Sequence, residues 1–352
     1  MREDKLETLY TKVAQKVLKD TLHVRKGDSV TVESWDNGIP FARRVLAEAR
    51  ALGCPAVLLY EDERAYIEGV RRAPEDSVGA MGRNEHGLIS ATDAYVFIPG
   101  QALSPYSKAL KPDERAKSTR YNSSWYQAAE KAGLRGARLS FGYVGKDLAR
   151  ILGKRVEDVV RTQLDAALVD LGSLSASVRK IKPALADGAQ AELLTAGARM
   201  TFSLKGELQT EDGIVDDEDR REGANMAYVP PGFVGKEVDP ESAEGAVVFT
   251  DTLTELGTIS RIKLQFEKGR LASWESSESA KVKKLVESSS PERRKVNFFS
   301  LGLNPKLGYG WGQDRFVAGS LSLSGFGFRG QVKKGTLTVA GKPIVSGGKL
   351  AG

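Results

Sequence analysis

Histidine is nearly absent from this chain: its 352 residues include two, His23 and His86, both in the first quarter. Zinc sites and most catalytic transition-metal sites combine imidazole with carboxylate or thiolate, so nothing beyond Gly87 supplies the usual nitrogen ligand. Cysteine is scarcer still. Cys54 alone permits no intrachain disulfide, and between Gly53 and Pro55 it reads as a small buried residue, with no histidine in a pairing context to activate it. No run approaches the ~20 apolar residues of a membrane span, and the charged opening Met1-Arg2-Glu3-Asp4-Lys5 has no apolar signal core. A cytoplasmic protein without membrane partners is the expectation.

Charge of one sign is not concentrated anywhere. The net charge is +6 and the pI about 9.1, which would suit an acidic partner. However, the basic clusters Lys281-Val282-Lys283-Lys284 and Arg293-Arg294-Lys295 lie among serines and glutamates and read as solvated surface. No zinc-finger, helix-turn-helix or aromatic single-strand-binding signature accompanies them, so no nucleic-acid partner is expected.

What is present is ordinary globular composition, 41% hydrophobic and 28% charged, in a chain long enough for two cores. Residues 4–20 place Leu6, Leu9, Tyr10, Val13, Val17 and Leu18 on one helical face. The β-branched run Ser29-Val30-Thr31-Val32-Glu33-Ser34, the helical segment 39–52 closed by Gly53, and Val57-Leu58-Leu59-Tyr60 form a βαβ unit whose strands should be buried between helix layers. Strands at 94–98 and 137–141 with helices at 123–132 and 156–171 extend the pattern. The turn after the first strand, Trp35-Asp36-Asn37-Gly38-Ile39-Pro40, contains neither G-x-G-x-x-G nor a phosphate-loop lysine, which argues against nucleotide binding. Beyond Pro183 the pattern changes to alternating strands at 198–204, 245–250, 258–266 and 271–274, with a hairpin turn at Glu267-Lys268-Gly269-Arg270 and a helix at 277–288. The fold class is therefore α/β: an N-terminal open, mostly parallel α/β domain (1–183) followed by a mainly antiparallel, β-rich α+β domain (184–352).

The order of pieces in the second half is more specific than any one of them. Glu211-Asp212-Gly213, Asn225-Met226, Pro230-Pro231-Gly232, Ala246-Val247-Val248-Phe249 and Ile262-Lys263-Leu264-Gln265-Phe266 are followed by a helix. Then come Phe298-Phe299-Ser300-Leu301-Gly302-Leu303-Asn304 and Asp314-Arg315-Phe316-Val317-Ala318-Gly319-Ser320-Leu321-Ser322-Leu323. This succession resembles the thermophilic-type metalloaminopeptidases, as do Arg25-Lys26-Gly27-Asp28-Ser29-Val30 and Ala49-Arg50-Ala51-Leu52-Gly53. The resemblance implies a dimeric two-domain protein whose C-terminal domain carries a dinuclear metal site. The departures fall on that site. Phe233 follows Gly232 where the family has a carboxylate ligand, Phe298 replaces a second glutamate, and Ser322 replaces a histidine. Gly335-Thr336-Leu337-Thr338-Val339 lacks the final His-x-Asp pair.

A degenerate member of that family, without metal or other cofactor, is the resulting expectation. Its leading function is that of a non-catalytic, peptide-binding pseudopeptidase. It would hold or present a precursor peptide to tailoring enzymes in ribosomal-peptide natural product biosynthesis, as in crocagin-type pathways. The expected partners are that peptide, its modifying enzymes and a second copy of the chain, paired largely through the C-terminal domain. Peptide contact is assigned to Gly232, Phe233, Arg261, Phe298, Asn304, Tyr309, Trp311, Arg315 and Ser322. Tyr309-Gly310-Trp311 puts two rigid rings on a glycine-flexed loop, with core packing of Trp311 as the alternative. Arg261 and Arg315 suit a peptide carboxylate, although arginines in such positions more often form surface ion pairs. Two alternatives stay open: an active metal-dependent aminopeptidase or hydrolase using Glu237, Asp239, Glu241 and Asp251, and a structural partner of an active homologue.

Overall fold

A computed structural model describes residues 2–351 except 75–80, 103, 105–107, 109, 255 and 256. The chain forms two compact units, one of residues 1–171 and 213–231, the other of residues 172–212 and 232–352. The sequence suggests one division near residue 183. The structure instead sends residues 213–231 back to the first unit, because the strand Met226–Val229 (β7) pairs in parallel with Arg135–Leu139 (β4).

The first unit is built on a five-stranded parallel sheet. Its order is Ala56–Glu61 (β2), Val30–Trp35 (β1), Ala94–Ile98 (β3), β4 and β7. One face packs against helices Arg2–Lys16 (α1) and Ile39–Ala51 (α2), with Pro40 in the first turn of α2 and Gly53 just past its end at φ +80°. Val30, Val32, Val96, Ile98, Ala137, Leu139 and Val229 meet Val13, Leu18, Phe41 and Val45 there. Burying these side chains contributes roughly 1.5–3 kcal/mol for each large one. The strands are not all enclosed as the apolar runs imply. β2 lies at the sheet edge, and Val57, Leu58, Leu59 and Tyr60 are 52, 38, 40 and 48% exposed. A continuous apolar run distinguishes strand from loop but carries no information on whether a neighbour covers it.

The second unit contains a twelve-stranded antiparallel sheet. Its strands are Gln190–Thr195 (β5), Ala198–Glu211 (β6), Phe233–Val238 (β8), Glu244–Thr254 (β9), Gly257–Glu267 (β10), Arg270–Ser276 (β11), Val296–Gly302 (β12), Leu321–Gly325 (β13), Phe328–Val332 (β14), Thr336–Val339 (β15), Lys342–Ser346 (β16) and Lys349–Leu350 (β17). Their order is β11-β10-β9-β14-β13-β12-β8-β6-β5-β15-β16-β17, and an additional β6–β9 pairing closes β9 through β6 upon themselves. Alternation along each strand sends Phe202, Phe249, Phe299, Leu301, Leu323 and Phe328 into the resulting core. The Phe202 and Phe299 rings stand 5.9 Å apart.

Candidate functional site

The face of the second sheet turned away from that core gathers most of the residues singled out in the sequence. In antiparallel strands, directly opposed residues share a face. Phe233 opposes Gly302, Gly235 opposes Ser300, and Glu237 opposes Phe298 across β8 and β12. Ser300 opposes Ser322 and Phe298 opposes Ser324 across β12 and β13, while Gln331 of β14 opposes Ser322. Phe233, Phe298 and Ser322, which stand where the resemblance places three metal ligands, therefore share one face. Phe299 is 1% exposed and points the other way, whereas Phe298 is only partly buried and its ring lies over Gly235.

The segment 303–319 folds back against this face. Gly232, at φ +119°, donates its amide to the Glu211 carbonyl and accepts from the Leu303 amide, both at 2.8 Å. A side chain at 232 would meet Asn304 at 2.8 Å, so only glycine fits. Asn304 is fully buried. Its amide donates to the Phe316 carbonyl at 2.8 Å, and its Oδ1 accepts from the Lys306 amide at 2.9 Å. It organises the segment from within. The Arg315 guanidinium lies 4.6 Å from the Phe316 ring centre and 5.4 Å from that of Phe233, and the two rings meet edge to face at 5.4 Å.

Tyr309 and Trp311 are both half-buried. Asp314 accepts the Gly310 amide on its two carboxylate oxygens at 2.8 and 3.0 Å, which fixes the loop between them. Lys333 Nζ lies 5.1 Å from the Tyr309 ring centre and pairs with Asp251. Burial, with the Asp314 charge adding to it, pushes the Tyr309 phenol up. Its hydroxyl faces Ser320 without a well-formed hydrogen bond. Ser320 Oγ accepts from Gln331 Nε2 at 2.7 Å. Ser322 is 3% exposed, and its Oγ has no hydrogen-bond partner among the described residues. Buried hydroxyls in that state are suited to an ordered water or an incoming polar group.

Arg261 does not join them. It is an exposed residue at φ +42° on β10, beyond β9 and β14 from Ser322. The sequence reading also missed Ser300, Ser320, Gln331 and Lys333. The alternation Ser320-Leu321-Ser322-Leu323 carried the signal for Ser320, but the partners across β12 and β14 lie far away in sequence.

The donor set does not fit a metal. Beside two phenylalanines and serine hydroxyls the shared face offers the Glu237 and Asp251 carboxylates but no imidazole, where a dinuclear centre needs several carboxylates and imidazoles together. Among the described residues, no three His, Cys, Asp or Glu side chains converge to hold an ion. Glu241 pairs with Lys295 and Asp251 with Lys333. His23 and His86 are exposed in the first unit. His23 contributes its carbonyl to Arg135 Nη1 at 2.9 Å.

The first unit holds a polar cluster that strand patterning did not reveal. The Glu33 carboxyl on β1 is enclosed and accepts from the Tyr95 hydroxyl. Desolvation pushes its pKa up to about 7. Arg138 on β4 lies 5.2, 5.5 and 5.9 Å from the ring centres of Phe97, Tyr143 and Tyr228, and donates to Tyr126 at 3.3 Å. Glu33 and Arg138 both border a cavity of about 50 Å³, alongside Tyr95, Tyr121 and Trp125.

No protein-family profile matches the chain, and no curated protein does. Solved structures do. The thermophilic aminopeptidase AmpT from Thermus thermophilus is 14% identical, with a TM-score of 0.65 over 98% of this chain and 99% of that one. The 2,5-dihydroxypyridine dioxygenase from Pseudomonas putida KT2440 is 16% identical, with a TM-score of 0.59 over 98% and 97%. At such identities the likeness is one of architecture. Over nearly its whole length the chain has a distant metalloaminopeptidase-like fold.

Proposed function

We propose that the second unit binds an extended peptide and does not cleave it, holding a precursor peptide for separate modifying enzymes in a ribosomal-peptide pathway. The observation that carries this reading is the composition of one sheet face on an aminopeptidase-like fold. Phe233, Phe298 and Ser322 occupy the positions that the family resemblance assigns to metal ligands, and they share that face. Aromatic rings and a small hydroxyl desolvate a peptide side chain at lower cost than charged ligands would. The half-buried Tyr309 and Trp311, on a loop fixed by Asp314, add rigid aromatic contact area. Because β8, β12, β13 and β14 are each paired on both sides, the peptide is held across the face through its side chains, and the partly exposed Phe298 ring supplies choice.

The test is calorimetric titration with synthetic peptides that span the short reading frames adjacent to the gene. Ser322 is buried, so a large residue there would perturb folding as well as binding. Phe298→Ala and Trp311→Ala are cleaner. Each should weaken binding about tenfold or more, or ~1.4 kcal/mol, at unchanged thermal stability. Tight binding that both variants leave intact would move the site elsewhere. Chelator-sensitive hydrolysis of the same peptides would favour the hydrolase alternative.

A further inference from the structure

Leu59, Glu33, Phe97, Arg138 and Tyr228 are register partners in one row across the parallel strands of the first unit. Residues in register share a face, so this row stands opposite the apolar side of Val32, Val96 and Ala137. The helix Pro112–Lys131 lies over it. From one side of that helix Tyr121, Asn122, Trp125 and Tyr126 line the same cavity as Glu33, Phe97 and Arg138. Trp125 meets Tyr95 edge to face at 5.0 Å. The cavity of about 50 Å³ has room for about four or five non-hydrogen atoms, and Asn122 at its border is exposed to solvent.

Two opposite charges border this cavity and do not meet. β3 separates β1 from β4, which sets the Glu33 and Arg138 backbones roughly 9–10 Å apart, with Phe97 between them. Among the described residues neither forms an ion pair, with the other or with any third group. Glu33 accepts the Tyr95 hydroxyl, Arg138 donates to the Tyr126 hydroxyl at 3.3 Å, and Arg138 Nε is buried without a partner. Burial keeps the phenols of Tyr126 and Tyr143 protonated, so neither neutralises the guanidinium. At the other end the Glu61 charge adds to that of Glu33. Enclosed charges without counterions are costly, and such groups in a cavity mark a place where something arrives to pair them.

A simple cation would be repelled by Arg138, and a simple anion by Glu33 and Glu61. A small ligand carrying both signs satisfies both ends. We infer that this cavity binds the zwitterion of a small α-amino acid, glycine or alanine, with its ammonium on Glu33 and its carboxylate on Arg138 Nε. A glycine zwitterion with a charge-assisted hydrogen bond of about 2.8 Å at each end spans roughly 8–9 Å, which matches the spacing of the two strands. The rings of Phe97, Tyr95 and Trp125 enclose the Cα, and their faces favour the ammonium as well. The cavity volume leaves no space for a long side chain.

Calorimetric titration of the full chain with glycine and with alanine should show saturable binding. Methylamine and acetate, which carry one of the two charges each, should bind about tenfold more weakly or worse. Glu33→Gln keeps an acceptor for the Tyr95 hydroxyl, so it should retain the circular dichroism spectrum of the wild type while losing about tenfold or more in glycine affinity. Arg138→Gln should lose as much. The ligand series uses the wild type alone and decides the matter even if Arg138→Gln fails to fold. Absence of saturable binding by both amino acids up to about 10 mM overturns the site. Methylamine or acetate binding as tightly as glycine overturns the two-point recognition, and a folded Glu33→Gln with undiminished glycine affinity overturns the placement.

Discussion

The Phe298 ring lies across Gly235, so that a methyl group on residue 235 would stand 2.5 Å from the ring's Cζ and 3.1 Å from the Phe299 carbonyl oxygen. Gly235→Ala should therefore push the ring off the sheet and destabilise the protein by about 1–3 kcal/mol. In a Phe298→Ala background most of that cost should vanish. A double-mutant cycle by urea unfolding measures this, and strict additivity would mean that the ring does not rest there.

Arg315 bears on peptide recognition more directly. Its guanidinium is stacked on Phe316 and Phe233, at one edge of the proposed binding face. If it receives a peptide carboxylate in a two-point contact, Arg315→Ala should weaken binding of a free-acid peptide about tenfold, or ~1.4 kcal/mol. Binding of the C-terminally amidated peptide should barely change. Equal losses for both would reduce Arg315 to a packing role, worth about 0.5–2 kcal/mol through its rings.

How far the sequence could be read depended on whether the signal was local. The β-branched run at Val30–Val32, the Pro40 and Gly53 boundaries of α2, and the hairpin at Lys268-Gly269 all announced themselves within a few residues. Three features depended on distant partners. Val57–Tyr60 reads the same whether a neighbouring strand covers it or not. The excursion of 213–231 is visible only as the pairing of β7 with β4. Ser322 reads as a pocket residue, yet it is buried on a face that segment 303–319 folds against. At the site, Phe298 and Tyr309 were legible because large aromatics stand out. Glu33 and Arg138 were not, because a single charged residue within a strand reads as a solvent-facing position.

The donor set predicts indifference to metal. An ion bound at 100 times its dissociation constant would stabilise the fold by about 2.7 kcal/mol, which would raise the melting temperature measurably. With zinc, cobalt or manganese added, or with chelator, the melting temperature of the second unit's transition should stay constant. A saturable upward shift would show that carboxylates in this chain assemble a site after all.

The last prediction concerns pH and follows from Glu33. Desolvation lifts its carboxyl from 4.5 to about 7 against the opposing pull of the Tyr95 hydrogen bond and of Arg138, while the nearby Glu61 charge adds to the rise. The folded state therefore holds a proton that the unfolded state releases. Below about pH 4.5 both states are protonated and Glu33 costs nothing. As pH rises toward 7 the unfolded chain ionises first, stability falls, and above about 7 the full cost of about 3 kcal/mol remains. Glu33→Gln keeps an acceptor for the Tyr95 hydroxyl and removes the titration. The stability of E33Q relative to wild type should thus grow by about 2–3 kcal/mol between pH 5 and pH 8 in urea unfolding. A difference that stays flat across that range would mean that Glu33 titrates as an ordinary solvated carboxylate, and that the cluster around Arg138 is open to water.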